Sequence, residues 1–445
     1  QRLRITGAGI TVTGEVAASQ DYPNFRPTLD FNFAAVKKLD PRITYTRSGP
    51  ASFTDEFGKL IKVAANTPRF DHNFGTGESL GLLIEESSTN ISKYSEKAGT
   101  GNWNQFGSLT ENIIEAPDGS MTADKLEAPR AEEPGSDHGL LNISASWTAD
   151  LPYTFSIFAK SGEFNRIGIR IYDGTSYFIR TNINLDTGET VSGNNGAGTL
   201  NVEKFANGWW RISITGTPVS TYNYNYYIAV EPHNTAIVQN ADPSNSKEGI
   251  YIWGWQWEQK AFPTSYIPTN GVAVTRGMEN VTITDDEFTD FYNPLESTAV
   301  CEFDTSNWIT YNNNKYERIF AFGNHNTETD TFEVFKQNSS NSEVRYRVRT
   351  ANSNVMGAAN YSYGTNTTPK VAFALKLNDA AVTVDGGTPG GTGDTSIPMP
   401  TVTKLSLGNS GLENNGGVHT LTGYIRRFMY YPVKLPDSQV VTLTS

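Results

Sequence analysis

Residues 250–269, IYIWGWQWEQKAFPTSYIPT, set Tyr251, Trp253, Trp255 and Trp257 at strict two-residue spacing ahead of a proline-bounded exit. In an extended strand that period puts all four rings on one face. A row of rings on one face is either the inner layer of a β-sandwich or a flat platform for sugar. The choice between them governs how the rest of the chain is read.

At 445 residues the chain is long for a single core and is expected to be modular. Charged residues make up only 18% and aromatics 12%, with Gly, Asn, Ser and Thr throughout, a balance that favours strands and turns over helices. An all-β fold is the expectation. The formal charge of -12 argues against nucleic acid and against anionic membranes, both of which call for a basic surface. Neutral glycans and other proteins remain as partners. Cys301 is the single cysteine and cannot form an internal disulfide, and His72, His138, His233, His325 and His419 are scattered without zinc-like spacing. No metal or other cofactor is expected, apart from structural calcium. No run approaches the roughly 18 apolar residues that span a bilayer, and the opening QRLRITGAGI lacks a signal peptide's apolar core.

Residues 1–30 carry glycine-punctuated β triplets too small to bury their own Ile and Val, and read either as a frayed strand or as the end of an intertwined stalk. Residues 31–97 alternate short apolar runs with turn signals and read as a meander or ordered connector. From about 100 to 270, alternating runs at 153–161, 165–174, 177–185, 209–217, 224–232 and 250–258 predict one antiparallel sandwich. From about 280 to 445, eight further runs predict a second, closed by a helical turn in PDSQVVTLTS. The expected division is therefore a connector module over 1–97, a first β-sandwich over 98–275 and a second over 276–445. The glycine-rich 385–393 stretch has neither the strand-to-helix setting nor the GK[ST] ending of a phosphate-binding loop.

Candidate binding residues follow from the same patterns. Trp209 and Trp210 are adjacent, so in a strand they point to opposite faces and one is driven outward. Tyr222, Tyr224 and Tyr226 share one face of a strand; they form either a sugar-binding surface or a half-buried row whose hydroxyls reach solvent. The polar connection 231–249 offers His233, Asn234, Asn240, Asp242 and Asn245, able to bond sugar hydroxyls or to ligate calcium through oxygen, against the reading of a plain solvated loop. Trp308 and Tyr311 beside Asn312 to Asn314 form a weaker lectin-like cluster.

Catalysis is not expected. Glu302-Phe303-Asp304 begins the acidic strand motif of jelly-roll glucanases, but no glutamate follows at 305 to 308. There is no G-x-S-x-G elbow and no H-E-x-x-H. Carboxylates assembled between neighbouring subunits would escape this reading.

The segment Asp40–Asn90, with PRITYTRSGPASFTDEFGKL, NTPRFDH and GESLGLLIEESSTN, resembles a recurrent module of bacteriophage structural proteins found ahead of tail-fibre and tailspike receptor-binding regions. YTFSIFAKSGE, NGWWRISIT and YIWGWQWEQKAFPTSYIPT are similar to a carbohydrate-binding-module-like sandwich. LKLNDAAVTVDG, LSLGN and GYIRRFMYYPVKLPDSQVVTLTS are similar to concanavalin-like, laminin-G-type jelly rolls. The resemblance implies a virion fibre subunit, commonly a homotrimer, contacting other virion proteins and a bacterial cell-surface polysaccharide. A structural capsid-surface or baseplate fibre and a tailspike-type glycan depolymerase are the alternatives. The tryptophan row then falls in a framework strand, and core is the favoured reading over sugar platform.

Overall fold

The computed structural model describes residues 22–98, 103–105, 108–127, 141–191, 197–233, 248–304, 316–324, 329–337, 343–357, 361–364, 367–390, 397–409 and 419–445; side chains are not described at 103–105, 108, 141–145, 222–233, 337 and 355–357. The fold is all-β, built as antiparallel sheets stacked into two sandwiches.

The first sandwich pairs a six-stranded sheet, in the order Thr199–Lys204, Trp210–Gly216, Tyr153–Lys160, Gly249–Glu258, Ala123–Glu127, Ser108–Ile114, with a five-stranded one. The latter runs Tyr177–Asn184, Arg166–Tyr172, Tyr222–His233, Leu141–Trp147, Trp103–Gln105. Strand alternation sorts the side chains. In Trp210–Gly216, Ile212 and Ile214 enter the core while Arg211 and Ser213 face away from it. Phe155, Ile157, Ile167, Ile169, Ile171, Ile179, Trp255 and Trp257 complete the apolar layer. All six expected runs lie within two residues of observed strands.

The tryptophan strand is buried, but its rings do not share a face. Trp255 and Trp257 sit in the inter-sheet core with Ile250 and Ile252, whereas Trp253 belongs to a separate cluster with Phe158, Trp209 and Tyr266, against which Tyr251 packs. Gly254 causes the switch. It adopts φ of 62°, and the register shifts between Ser156↔Gln256 and Phe158↔Trp253, so Gly254 and Trp255 together oppose Ile157. A glycine in the left-handed region opening a two-against-one bulge inverts the parity of every later residue. Even-numbered residues face the core before the bulge and odd-numbered ones after it. The expectation of four rings on one face is corrected to two on each.

The second sandwich does not begin at residue 276. Its seven-stranded sheet runs Asp379–Val384, Lys370–Lys376, Glu296–Asp304, Gly423–Tyr431, Ser79–Ile84, Phe70–His72, and Leu29–Asn32 also pairs with Gly423–Tyr431. One edge of that last strand is thus shared end to end by two N-terminal strands: Leu82 and Leu83 pair with Ile425 and Tyr424, and Leu29 to Asn32 with Tyr430 to Arg427. The facing eight-stranded sheet takes in Thr44–Thr46, which pairs with Asn280–Thr284. Leu29, Phe31, Phe33, Phe70, Leu82 and Ile84 accordingly lie in the same core as Phe320, Phe322, Phe373 and Phe428. Strands expected to form a connector over 1–97 are structural members of the C-terminal sandwich, and the first sandwich is inserted between two parts of the second. The closing helix is Asp437–Thr444; its Val440 and Leu443 cover an alanine-rich patch, Ala372, Ala374 and Ala381, on the outside of the seven-stranded sheet.

A buried charge cluster joins the two sandwiches. Glu279 receives Arg69 at 2.5 Å and Arg47 at 3.3 Å on one oxygen, and on the other Arg276 at 3.5 Å and the Glu85 N–H at 2.8 Å. Glu85 in turn lies 2.7 Å from Arg69, while Ser265 donates its hydroxyl and its backbone N–H to it. Burial pushes the Glu85 carboxyl up, but Arg276 and Arg69 outweigh it and hold it at about 2. Beside this cluster, the Asn90 amide donates to Ile267 O and accepts from Trp257 N–H, and Ser52 donates to Tyr266 O. Apart from Arg276 and Glu279, these residues lie in the 40–90 and 250–269 motifs. Those motifs encode a clamp between sandwiches.

Candidate functional site: a polar cleft between the sandwiches

Alternation leaves a polar outer face on the six-stranded sheet. Because Leu200 and Val202 pack on the core, Thr199, Asn201 and Glu203 face outward, beside Arg211, Ser213 and Thr215 of the paired strand. This face looks across a cleft of about 490 Å³ at Asp71, His72, Asn73, Leu83 and Tyr424 of the other sandwich, with the 261–266 turn as its floor. That volume falls in the range of small-ligand sites, roughly 300–1,000 Å³.

Each polar wall residue is held by its own framework. Arg211 donates from Nη2 to Thr264 O at 2.7 Å and to Ser156 Oγ at 3.1 Å, with its guanidinium 5.7 Å from the centre of the Phe158 ring. Its Nε has no hydrogen-bond partner. Asp71 accepts the Thr54 N–H at 2.6 Å and the His72 N–H at 3.0 Å on one oxygen, and the Tyr424 hydroxyl at 3.0 Å on the other. Burial nevertheless raises its carboxyl to about 6, the hydrogen bonds offsetting part of the desolvation. Burial likewise raises Glu203, with Arg211 and Asn201 pulling the other way. His72 places Nδ1 at 3.0 Å from Thr54 O. A carbonyl only accepts, so Nδ1 carries the proton. Nε2 is buried without a partner, as is Ser213 Oγ on the opposite wall. A cleft in which Nε of Arg211, Nε2 of His72 and Oγ of Ser213 are all buried and unsatisfied is suited to a ligand rich in hydroxyls.

The residues singled out in the sequence do not converge here. Trp209 is only 1% exposed, and its indole N–H donates to Glu115 O at 3.2 Å. It does point away from the inter-sheet core, as alternation requires, but Leu60, Ala116, Phe158 and Phe205 cover that side. A sugar cannot reach it. Trp210 is half-buried, donates to Leu185 O at 2.7 Å and carries Lys204 Nζ at 5.5 Å from its ring centre. The backbones of Tyr222, Tyr224, Tyr226 and His233 lie on the central strand of the five-stranded sheet, away from the cleft strands, and their side chains lie outside the described residues. Asn234, Asn240, Asp242, Asn245, Trp308 and Tyr311 also lie outside them. Among the described residues no group of His, Cys, Asp and Glu is arranged to hold a metal ion, and no helix is long and apolar enough to cross a membrane. The cleft leaves no joint pattern in the sequence, because its two walls come from strands more than a hundred residues apart. The one local signal was Arg211, a cation alternating with isoleucines in WWRISIT.

No protein-family model matches the sequence, and no curated protein matches it. Among solved structures, the CBM40 of Ruminococcus gnavus IT-sialidase bound to alpha2,3 sialyllactose matches at 16% identity and TM-score 0.30, over 36% of this chain and 89% of that one. Domains LG4-5 of the mouse laminin alpha1 chain match at 10% identity and TM-score 0.23, over 75% and 91%. Trypanosoma rangeli sialidase matches at 10% and 0.28, over 69% and 53%. TM-scores this low leave the site to be read from its own residues.

Proposed function

We propose that this chain is a bacteriophage virion fibre subunit of the tail-fibre type that attaches to a host cell-surface glycan through the cleft between its sandwiches. The observation that carries the reading is the cleft itself: ligand-sized, walled by Asn201, Glu203, Arg211, Ser213 and Thr215 on one side and by Asp71, His72 and Tyr424 on the other, with buried polar atoms left unsatisfied. The phage assignment rests on the sequence resemblance, whose motif residues contribute Arg47, Arg69 and Glu85 to the inter-sandwich clamp. Assembly as a homotrimer would multiply weak single-site contacts into firm attachment.

The chain acts as a binder without turnover. Asp71 is an unsuitable acid or nucleophile, because both its oxygens are engaged by Thr54, His72 and Tyr424. A depolymerase is the second reading, favoured by Glu203, which lines the cleft and whose protonated form burial promotes. Release of reducing sugar from host polysaccharide, abolished by Glu203→Gln, would establish it instead.

The test is attachment of the purified protein to host cells and to extracted envelope polysaccharide. Asn201→Trp fills the cleft mouth from an exposed edge-strand position and is expected to lower attachment at least tenfold with the melting temperature unchanged. Full attachment by a folded Asn201→Trp protein overturns the cleft as the site. Failure of the unaltered protein to bind any host cell or glycan, with assembly retained, favours a purely structural fibre.

A further inference from the structure

The strand Thr199–Lys204 ends the six-stranded sheet, with Trp210–Gly216 on one side and, among the described residues, no strand on the other. A strand that ends a sheet turns the N–H and C=O of every second residue away from the ladder. The hairpin closure says which residues these are. Phe205 N–H donates to Trp209 O at 2.7 Å, and behind that bond Lys204 lies opposite Trp210, Glu203 opposite Arg211 and Asn201 opposite Ser213. Counting back in steps of two, Glu203, Asn201 and Thr199 exchange bonds with the neighbouring strand, and Leu200, Val202 and Lys204 face out. The other side of the sheet gives the same assignment. Trp257 donates its N–H to Asn90 and accepts from Ile91, so Gln256 and Glu258 bond to Tyr153–Lys160; alternation carried through Ile157 and Ile212 leaves Ser213 and Arg211 for Asn201 and Glu203. Among the described residues nothing bonds the main-chain groups of Leu200 and Val202 outside the ladder.

This edge opens on the cleft. Residues 199 to 203 line it without a gap, so side chains of both faces take part, as they do where a strand presents its edge. Thr199 and Asn201 are exposed, and Leu200, Val202 and Glu203 are half-buried, so a ligand can reach the strand. Leu200 and Val202 thus offer two main-chain donors and two acceptors, spaced about 7 Å along the strand. Half-buried Phe53 and Phe262 line the same cleft.

We infer that the cleft takes an uncharged, linear glycan segment that runs along this edge, its hydroxyls bonded by the N–H and C=O groups of Leu200 and Val202. The inference rests on the cleft as the attachment site. A hydroxyl both donates and accepts, so it meets an N–H and a C=O alike, whereas a carboxylate only accepts and is turned away by the carbonyls. Charge points the same way. Among the described lining residues Glu85 is balanced by Arg69 and Arg276, and Asp71 and Glu203 outnumber Arg211, whose Nη2 is engaged by Thr264 and Ser156. Phe53 and Phe262 supply rings for the C–H faces of a sugar. A strand of another protein is the other natural occupant of a free edge. Charged side chains bar such pairing, and Glu203 and Lys204 place them on this one.

Main-chain contacts are tested with proline. Val202→Pro removes an N–H that faces the cleft and leaves the ladder whole, Glu203→Pro removes one that belongs to the ladder, and Val202→Ala keeps the N–H while losing the side chain. The probes for the full chain are host envelope polysaccharide, separated by anion exchange into uncharged and acidic fractions, and a Thr-Val repeat hexapeptide. The uncharged fraction is expected to bind, and to slow amide exchange at Leu200 and Val202 but not at Asn201. Its binding is expected to be roughly five- to tenfold weaker in Val202→Pro than in Val202→Ala. Glu203→Pro is expected to lower the melting temperature more than Val202→Pro does. Full binding by a folded Val202→Pro protein, unslowed exchange at both residues, or preference for the acidic fraction or the peptide overturns the inference; the cleft reading then stands if Asn201→Trp still lowers attachment. Exchange is read on the unaltered protein, so the test remains decisive if Val202→Pro does not fold. Binding of neither fraction overturns the cleft reading and this inference with it.

Discussion

At the scale of single residues, Asp71 and Glu85 show how two carboxylates only fourteen positions apart respond to different surroundings. Asp71 is buried among neutral donors and is raised to about 6, whereas Glu85 lies between Arg69 and Arg276 and is held at about 2. Their contributions to stability have opposite signs. The folded protein holds the Asp71 proton more tightly than the unfolded chain does, so this contribution is full below pH 4 and is lost as pH rises to about 6. The size is about 3 kcal/mol, at roughly 1.4 kcal/mol per pH unit. Glu85 contributes above pH 4.5 and loses its contribution as pH falls toward 2. Asp71→Asn keeps the acceptor for Thr54 and His72 and turns a donor toward the Tyr424 oxygen. It is expected to abolish the decline between pH 4 and 6 and to be more stable than the parent at pH 8, as read by urea unfolding across that range. A variant with an undiminished decline would show that another group causes it.

At the scale of elements, the strand Gly249–Glu258 depends on one glycine. A side chain at Gly254 would have to adopt φ of 62°, with its Cβ 3.0 Å from the Phe158 ring. Gly254→Val is therefore expected to destabilise the first sandwich by about 3 kcal/mol or more. Trp255→Ala opens a cavity in its core and costs about 3–5 kcal/mol. Calorimetry would show loss of a transition assigned to the inserted sandwich, and an unaltered transition in both variants would refute the bulge's role. This strand also marks what was legible beforehand. Its extent, burial and membership of a sandwich follow from alternating Tyr and Trp, because each depends on local periodicity. The division of its rings between two clusters does not, since whether a glycine in a strand is flat or bulged is decided by the strand beside it. The cleft was less legible still. Trp209 has the expected direction, but whether that direction meets water depends on Leu60 and Ala116, placed there by a distant part of the chain. Asp71, Arg211 and Tyr424 become neighbours only after the long-range pairings form.

At the scale of the whole molecule, the Arg47, Arg69, Arg276, Glu85 and Glu279 cluster lies where the inserted sandwich leaves and rejoins its host. Glu279→Ala leaves the buried Arg69 and Arg276 sharing Glu85 and takes from Arg47 the carboxylate it faces, and is expected to cost about 3–5 kcal/mol. Denaturant unfolding should show this loss, and a change below about 1 kcal/mol would mean that the cluster relaxes or is hydrated. The same topology predicts that a fragment of residues 276–445 does not fold by itself, because it lacks the strands Leu29–Asn32 and Ser79–Ile84 that cover one edge of Gly423–Tyr431. A cooperative melting transition from that fragment would refute the prediction.

Thr28 donates its hydroxyl to Tyr430 O across 402 positions of chain. On the ribosome the consequence is one of timing. The inserted sandwich has all its strands once residue 258 has emerged, while Leu29–Asn32, made long before, has no partner until Gly423–Tyr431 follows. A nascent chain thus carries a finished middle between unfinished ends, and its early strands, with Leu29, Phe31 and Phe33 still uncovered, are the part most in need of protection until synthesis is nearly complete.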